Sequence, residues 1–162
     1  MKGILVVHSF SGNTFSVSEK VVNKLKKEGH DVYIERLETT EKVKNGTPLS
    51  DIQLKNMPDL SSFDFVILSS PVHGGGVSSV MKKFIISSDS INGKDIFCFV
   101  THFFPFAWMG GNSAISQFKK MCSEKNANVI DSSVVNWKNK KETGIGETVS
   151  KALDYVNSLC QK

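Results

Sequence analysis

Three short stretches of this chain carry side chains able to do chemistry together. The first, Ser9-Phe10-Ser11-Gly12-Asn13-Thr14, offers three hydroxyls, one side-chain amide and a glycine that can turn backbone N–H groups toward one point. It lies between an apolar run, Gly3 to His8, and a segment in which Val17, Val21 and Leu25 recur at helical spacing. A helix N-terminus with free N–H groups and partial positive charge is an anion site. The bland alternative is that Ser9, Gly12 and Asn13 merely cap the helix. The stretch itself holds no lysine or arginine, which excludes a Gly-Lys-Ser/Thr nucleotide loop and implies that a phosphate there would be held by neutral donors. It also lacks the acidic residues of a receiver domain.

The second stretch is Pro71-Val72-His73-Gly74-Gly75-Gly76, at the end of the apolar segment Phe63 to Ser70. Its glycines allow positive φ angles and close approach of a flat ligand, whereas a flexible turn would need one glycine. His73 either lies against a ligand or caps the turn. The third runs from Thr101 and His102 to Gly110-Gly111 and includes Phe103, Phe104, Phe106 and Trp108, in a chain only 9% aromatic. Such rings provide flat walls for a planar heteroaromatic ligand, the alternative being a satellite core or an oligomer contact. Trp108 is the first choice for a ligand-facing ring, then Phe104 or Phe103. His102 reads as a strand-end cap, and no residue is assigned a catalytic acid–base role.

These stretches need elements to bring them together. Strand-like runs at Gly3 to His8, Asp31 to Leu37, Phe63 to Ser70, Asp95 to His102 and Val129 to Trp137 alternate with helical patterns. The helices begin after Thr14, near Ser78 (to Ser87), around Ile115, Phe118, Met121 and Cys122, and along Val149, Leu153, Val156 and Cys160. Five strands with helical crossovers predict one α/β domain over residues 1–162, a doubly wound parallel sheet in the order 2-1-3-4-5 with helices on both faces. In that order, the carboxyl ends of strands 1, 3 and 4 meet where the winding reverses, and those ends carry the three unusual loops. Residues 38–62 leave room for one short helix near Asp51 to Asn56.

Composition narrows the rest. With 40% hydrophobic and 22% charged residues, the chain is an ordinary globular one, and its apolar runs are far shorter than the ~20 residues of a membrane span. The apolar run after Lys2 breaks at His8-Ser9, too soon for a secretory signal. Cys98, Cys122 and Cys160 are too few and scattered for a disulfide framework or a cysteine-held metal, so the expectation is a reduced, cytoplasmic protein without a metal. The net charge of +4 comes from dispersed lysines with Arg36 the lone arginine, a solvated surface rather than a nucleic-acid reader.

A hydroxyl- and glycine-rich loop after strand 1, with glycine-rich and aromatic loops after strands 3 and 4, resembles the flavodoxin family along essentially the whole chain. The resemblance implies a flavodoxin-like fold and non-covalent flavin mononucleotide (FMN). By that likeness, Ser9, Ser11, Asn13 and Thr14, with the backbone of Phe10, Gly12 and Phe15, would hold the phosphate. The Val72 to Gly76 backbone would border the ring edge that takes up protons, with Gly74-Gly75 where short-chain flavodoxins flip a peptide. Thr101 to Gly111 would border the pyrimidine end and one ring face. Thr14→Ala is then expected to weaken FMN binding by about 1–3 kcal/mol while barely changing riboflavin. Absence of a cation in the phosphate loop would lower the last reduction potential of the flavin.

The flavin does the redox chemistry in such proteins, and the chain tunes it. Carrier flavodoxins are usually strongly acidic, whereas this chain is net positive, which weakens steering toward basic reductases. Ser70 to Gly76 and Gly110-Gly111-Asn112 are also similar to the NAD(P)H-dependent flavin and quinone reductase branch. Electron transfer between protein partners is the first expectation and an NAD(P)H-dependent FMN or quinone oxidoreductase the second. A flavin-binding interaction module without redox function is the third. The partner is accordingly a redox protein or NAD(P)H, with no nucleic acid or membrane, and the chain a monomer or homodimer.

Overall fold

The computed structural model describes every residue except Asn45, Pro105, Ala107 and Lys162. Pro105 and Ala107, part of the aromatic stretch, thus lie outside the described residues. In chain order the elements are β1 (Lys2–Val7), α1 (Asn13–Lys27), β2 (Asp31–Arg36), β3 (Phe65–His73), β4 (Gly76–Val77), α2 (Ser79–Ser87), β5 (Asp95–His102), α3 (Gly111–Glu124), β6 (Asn128–Asn136) and α4 (Lys141–Leu159).

The main path of the sheet is β2-β1-β3-β5-β6, every pair along it parallel. This is the expected doubly wound order once β4, two residues paired antiparallel to β3, is set aside. Alternation along each strand divides the core into two. Ile4 and Val6 of β1 join Val66 and Leu68 of β3 beneath Met81, Phe84 and Phe118 of α2 and α3. Leu5 and Val7 join Phe65 and Ile67 on the opposite face, beneath Val17 and Val21 of α1 and Tyr155 and Val156 of α4. Strands covered on both faces must be apolar throughout, which is why these runs show no polar alternation.

Two local expectations are corrected. The helix expected near Asp51 to Asn56 is instead one 3-10 turn at Leu49–Asp51, after which Leu54 bridges back to Thr39. Pro48 starts that turn, and Ile52 just after it is buried while Leu54 packs against the core, so the chain is pinned by scattered apolar side chains rather than by a helical face. Cys160 lies beyond α4 and is exposed; the core-facing side of that helix ends instead with the partly buried Leu159. Among the described residues, no helix is long and apolar enough to cross a membrane.

Candidate functional site

Strand register brings the three loops together. Val7 pairs with Ser69, Ser69 with Phe99, and Pro71 with Thr101, so β1, β3 and β5 end side by side at the winding reversal. A cavity of about 150 Å³ there is lined by Ser11, Asn13 and Thr14 of the first loop. Pro71, Val72 and His73 line it from the second, and Thr101, His102 and Phe103 from the third. Trp137, just past β6, completes the wall. In the sequence Trp137 reads only as the end of a strand; the β5–β6 ladder, with the Trp137 N–H donating to the His102 carbonyl at 2.8 Å, carries it to this end of the sheet.

In the first loop, Gly12 is the N-cap of α1 at φ +92°, a backbone that other residues adopt only with strain. Ser9 Oγ accepts hydrogen bonds from the N–H groups of Gly12 (3.1 Å) and Phe15 (3.2 Å). Capping therefore falls to Ser9, while the first-turn N–H groups of Asn13 and Thr14 have no helical carbonyl within reach and stay available to an anion. The Thr14 hydroxyl, 1% exposed, is 2.7 Å from the Thr101 hydroxyl and ties α1 to the end of β5. Thr14→Ala is accordingly expected to lower fold stability by about 1–3 kcal/mol, for leaving a buried hydroxyl unpaired. Thermal melting of the apoprotein checks this, an unchanged melt contradicting the tie.

The loop has a cation after all, and it comes from another strand. Arg36 ends β2 in register with Val7, donates from its guanidinium to the Ser9 carbonyl at 2.9 Å, and sits 5.3 Å above the Phe15 ring. The expectation of a phosphate loop free of cations is therefore corrected, and with it the basis for a potential lowered by their absence. A sequence offers no sign of this pairing, since Arg36 is remote from the loop along the chain.

The second loop is a hairpin. β3 runs through Pro71, Val72 and His73 before Gly74 (φ +57°) and Gly75 (φ +78°) turn it back into β4. Two consecutive positive φ values are the signature of a tight type I′ hairpin, so two glycines are already required by the turn. The third, Gly76, is buried, and a Cβ there would lie 2.4 Å from the Gln117 side chain. The turn and the Gln117 contact together account for the three glycines without a ligand. Gly74 and Gly75 are exposed at its tip, while His73 is half-buried at the cavity.

The third loop touches the second through Gly110, whose Cβ position is 3.1 Å from Val72 Cγ1 and 3.3 Å from the Gly75 backbone at φ +113°. Gly111 opens α3 with Val134 only 2.7 Å from where a Cβ would sit and the His102 ring at 3.6 Å. Phe103 lines the cavity, although its ring is itself largely exposed. Phe104 and Trp108 stand exposed, and Trp108, 71% exposed, stacks at 5.9 Å on Phe106. Phe10 is exposed as well and packs edge-on against His73 at 6.0 Å. No satellite core absorbs these rings.

His102 tests whether the site suits a flavin. It is 4% exposed, lines the cavity, and neither ring nitrogen has a hydrogen-bond partner. Burial lowers its pKa, so the ring stays neutral with one N–H donor and one acceptor. An unpaired buried polar group is costly, and a planar ligand edge carrying both donor and acceptor would satisfy it. First-turn N–H groups, a neutral donor–acceptor ring and Phe103 border one cavity, a set of groups that suits part of a phosphorylated heteroaromatic ligand, the remainder lying outside its 150 Å³.

The comparisons agree. The chain matches the model of the NADPH-dependent FMN reductase family over residues 3–142. No functionally curated protein sequence matches it. Oxidised flavodoxin 2 from Bacillus cereus is similar in structure with a TM-score of 0.70 at 17% identity, covering 98% of this chain and 99% of its own. A flavoprotein in complex with FMN from Lactobacillus acidophilus NCFM has a TM-score of 0.65 at 19% identity, over 88% of this chain and 97% of its own. The flavodoxin, WrbA-like protein from Agrobacterium tumefaciens has a TM-score of 0.65 at 15% identity, over 99% and 98%. At such identities the structures establish the flavodoxin-like fold, and the family supplies what the fold alone does not. The chain is a flavodoxin-like member of the NADPH-dependent FMN reductase family, whose implied cofactor is FMN.

Proposed function

We propose that this chain is an FMN-dependent oxidoreductase reduced by NAD(P)H, working in the cytoplasm, where its three free thiols would stay reduced. The observation that carries the flavin assignment is the single cavity at which all three loops meet, with His102 unpaired in its wall. FMN supplies the redox chemistry when bound. The first-turn N–H groups of Asn13 and Thr14, with the side chains of Ser11 and Asn13, bind its phosphate, and Arg36 adds positive charge behind the loop. His102 and the Thr101 backbone orient the polar edge of the ring system, with Phe103 against it. Pro71 to Gly76 and Gly110-Gly111 form the backbone rim of the site, their glycines serving the hairpin and the close packing of the two loops. Phe104 and Trp108, exposed beside this rim, are the rings free to cover it.

Family membership and net positive charge favour the reductase over the one-electron carrier, because acidic carriers dock on basic partners. The carrier remains the second reading, supported by the exposed Phe104, Phe106 and Trp108 near the site, a surface of the kind protein partners use. Stopped-flow mixing of the FMN-loaded protein with NADPH or NADH separates the two. Rapid bleaching of the flavin band is expected at low nucleotide concentration. No bleaching, combined with a long-lived semiquinone on stepwise chemical reduction, would establish the carrier instead.

A further inference from the structure

A second and larger cavity, about 450 Å³, adjoins the first, and His73 lines both. Its floor is His8, where β1 ends, and its far wall is the segment after β2 that carries Lys42 and Lys44. Ser79 and Val80, the first residues of α2, close it. The volume is that of a pocket for a small organic molecule.

Its chemistry is one-sided. Lys42 and Lys44 supply two cations, and among the described lining residues there is no carboxylate. The first-turn N–H groups of Ser79 and Val80 add the partial positive end of a nine-residue helix. Apart from Thr39, whose hydroxyl donates to the Glu41 carbonyl, the remaining walls are apolar or aromatic: Val43, Val80, Phe10 and the His73 ring, the last two edge-to-face at 6.0 Å. His8 is fixed, its Nδ1 2.8 Å from Ser78 Oγ, which also receives hydrogen bonds from Ser70 Oγ (3.1 Å) and the Met81 N–H (3.3 Å). Burial, with His73 and Arg36 nearby, lowers the His8 pKa to about 4, so at neutral pH the imidazole is an uncharged wall and the lysines carry the charge.

We propose that this cavity binds a planar organic anion, an aryl carboxylate or sulfonate, with its acid group at Lys42 and Lys44 and its ring against Phe10 and His73. A ligand of this kind would lie one side chain away from the flavin site, a placement that rests on the flavin reading, whereas binding of the acid does not. An aryl acid fits within the volume whole, and one wall shared with the flavin site favours it over a macromolecule.

The test is calorimetric titration of the FMN-loaded protein with 2-naphthoate and with its uncharged analogue 2-naphthamide. Naphthoate is expected to bind about tenfold tighter or better, and the preference to vanish in Lys42→Gln/Lys44→Gln. Flavin content and the melting curve of the variant should match the parent. Equal affinity for the two probes, or a preference that survives the double substitution, overturns the proposal. So does a result in which the lysines matter for NADPH over NADH but not for naphthoate, since the site would then serve a nucleotide phosphate. Flavin content measured on the same samples keeps the two readings apart. A protein that takes up no FMN refutes the flavin assignment, while the naphthoate preference still decides the cavity.

Discussion

Gly12→Val should reduce FMN affinity by about 10- to 100-fold, from about 1–3 kcal/mol of backbone strain, while riboflavin affinity changes little. Gly12 holds φ +92° as the N-cap of α1, a conformation that a β-branched residue adopts only as an outlier. No neighbouring atom lies within 4 Å of where its Cβ would be, so the penalty is purely torsional and the fold has no steric reason to fail. The apoprotein can relieve the strain by letting the loop relax. A bound phosphate cannot allow that, because it needs the Asn13 and Thr14 N–H groups converging, so the cost appears in binding. Calorimetry with both ligands on one preparation checks this. Equal losses for FMN and riboflavin would show that the loop does not hold the phosphate.

Much of this architecture was readable from the chain because its strands are buried on both faces. Runs such as Ile4-Leu5-Val6-Val7 and Phe65-Val66-Ile67-Leu68 can only be central strands of a doubly covered sheet, and that fixes which loops share an end. What escaped the sequence depends on register or on short-range geometry. Arg36 reaches the first loop because it stands opposite Val7, a pairing no periodicity reports. Trp137 arrives through the β5–β6 ladder in the same way. The hairpin at Gly74-Gly75 is hidden because β4, two residues long, is too short to leave an alternating pattern. The second cavity was invisible for a similar reason: the described part of residues 38–62 holds one 3-10 turn and one isolated bridge, and only folding places Lys42 and Lys44 opposite His73.

The same close packing that positions the strand ends leaves one position where a single methyl group should do the most damage. Gly3→Ala is expected to lower stability by about 3 kcal/mol, the upper part of the range for overpacked cores. For a chain of 162 residues this is about 6–12 °C of melting temperature. A Cβ at Gly3 would lie 2.0 Å from the tip of the Phe65 ring, on the neighbouring strand that pairs with it. The ring has nowhere to go: Phe65 is fully buried, edge-on to Tyr155 at 6.4 Å and to His30 at 6.0 Å. Tyr155 is itself anchored by its hydroxyl, which donates to the Asp95 carbonyl at 2.7 Å. Phe65→Leu alone leaves a cavity and is also destabilising, but combined with Gly3→Ala it removes the clash. The double variant should therefore be more stable than the sum of the two losses predicts, by a coupling of about 0.5–3 kcal/mol. Denaturant unfolding of the four proteins measures that coupling, and strict additivity would mean that the ring does not exclude the methyl group. Once folded, all four should bind FMN alike, because Gly3 and Phe65 pair at the opposite end of their strands from the loops that form the site.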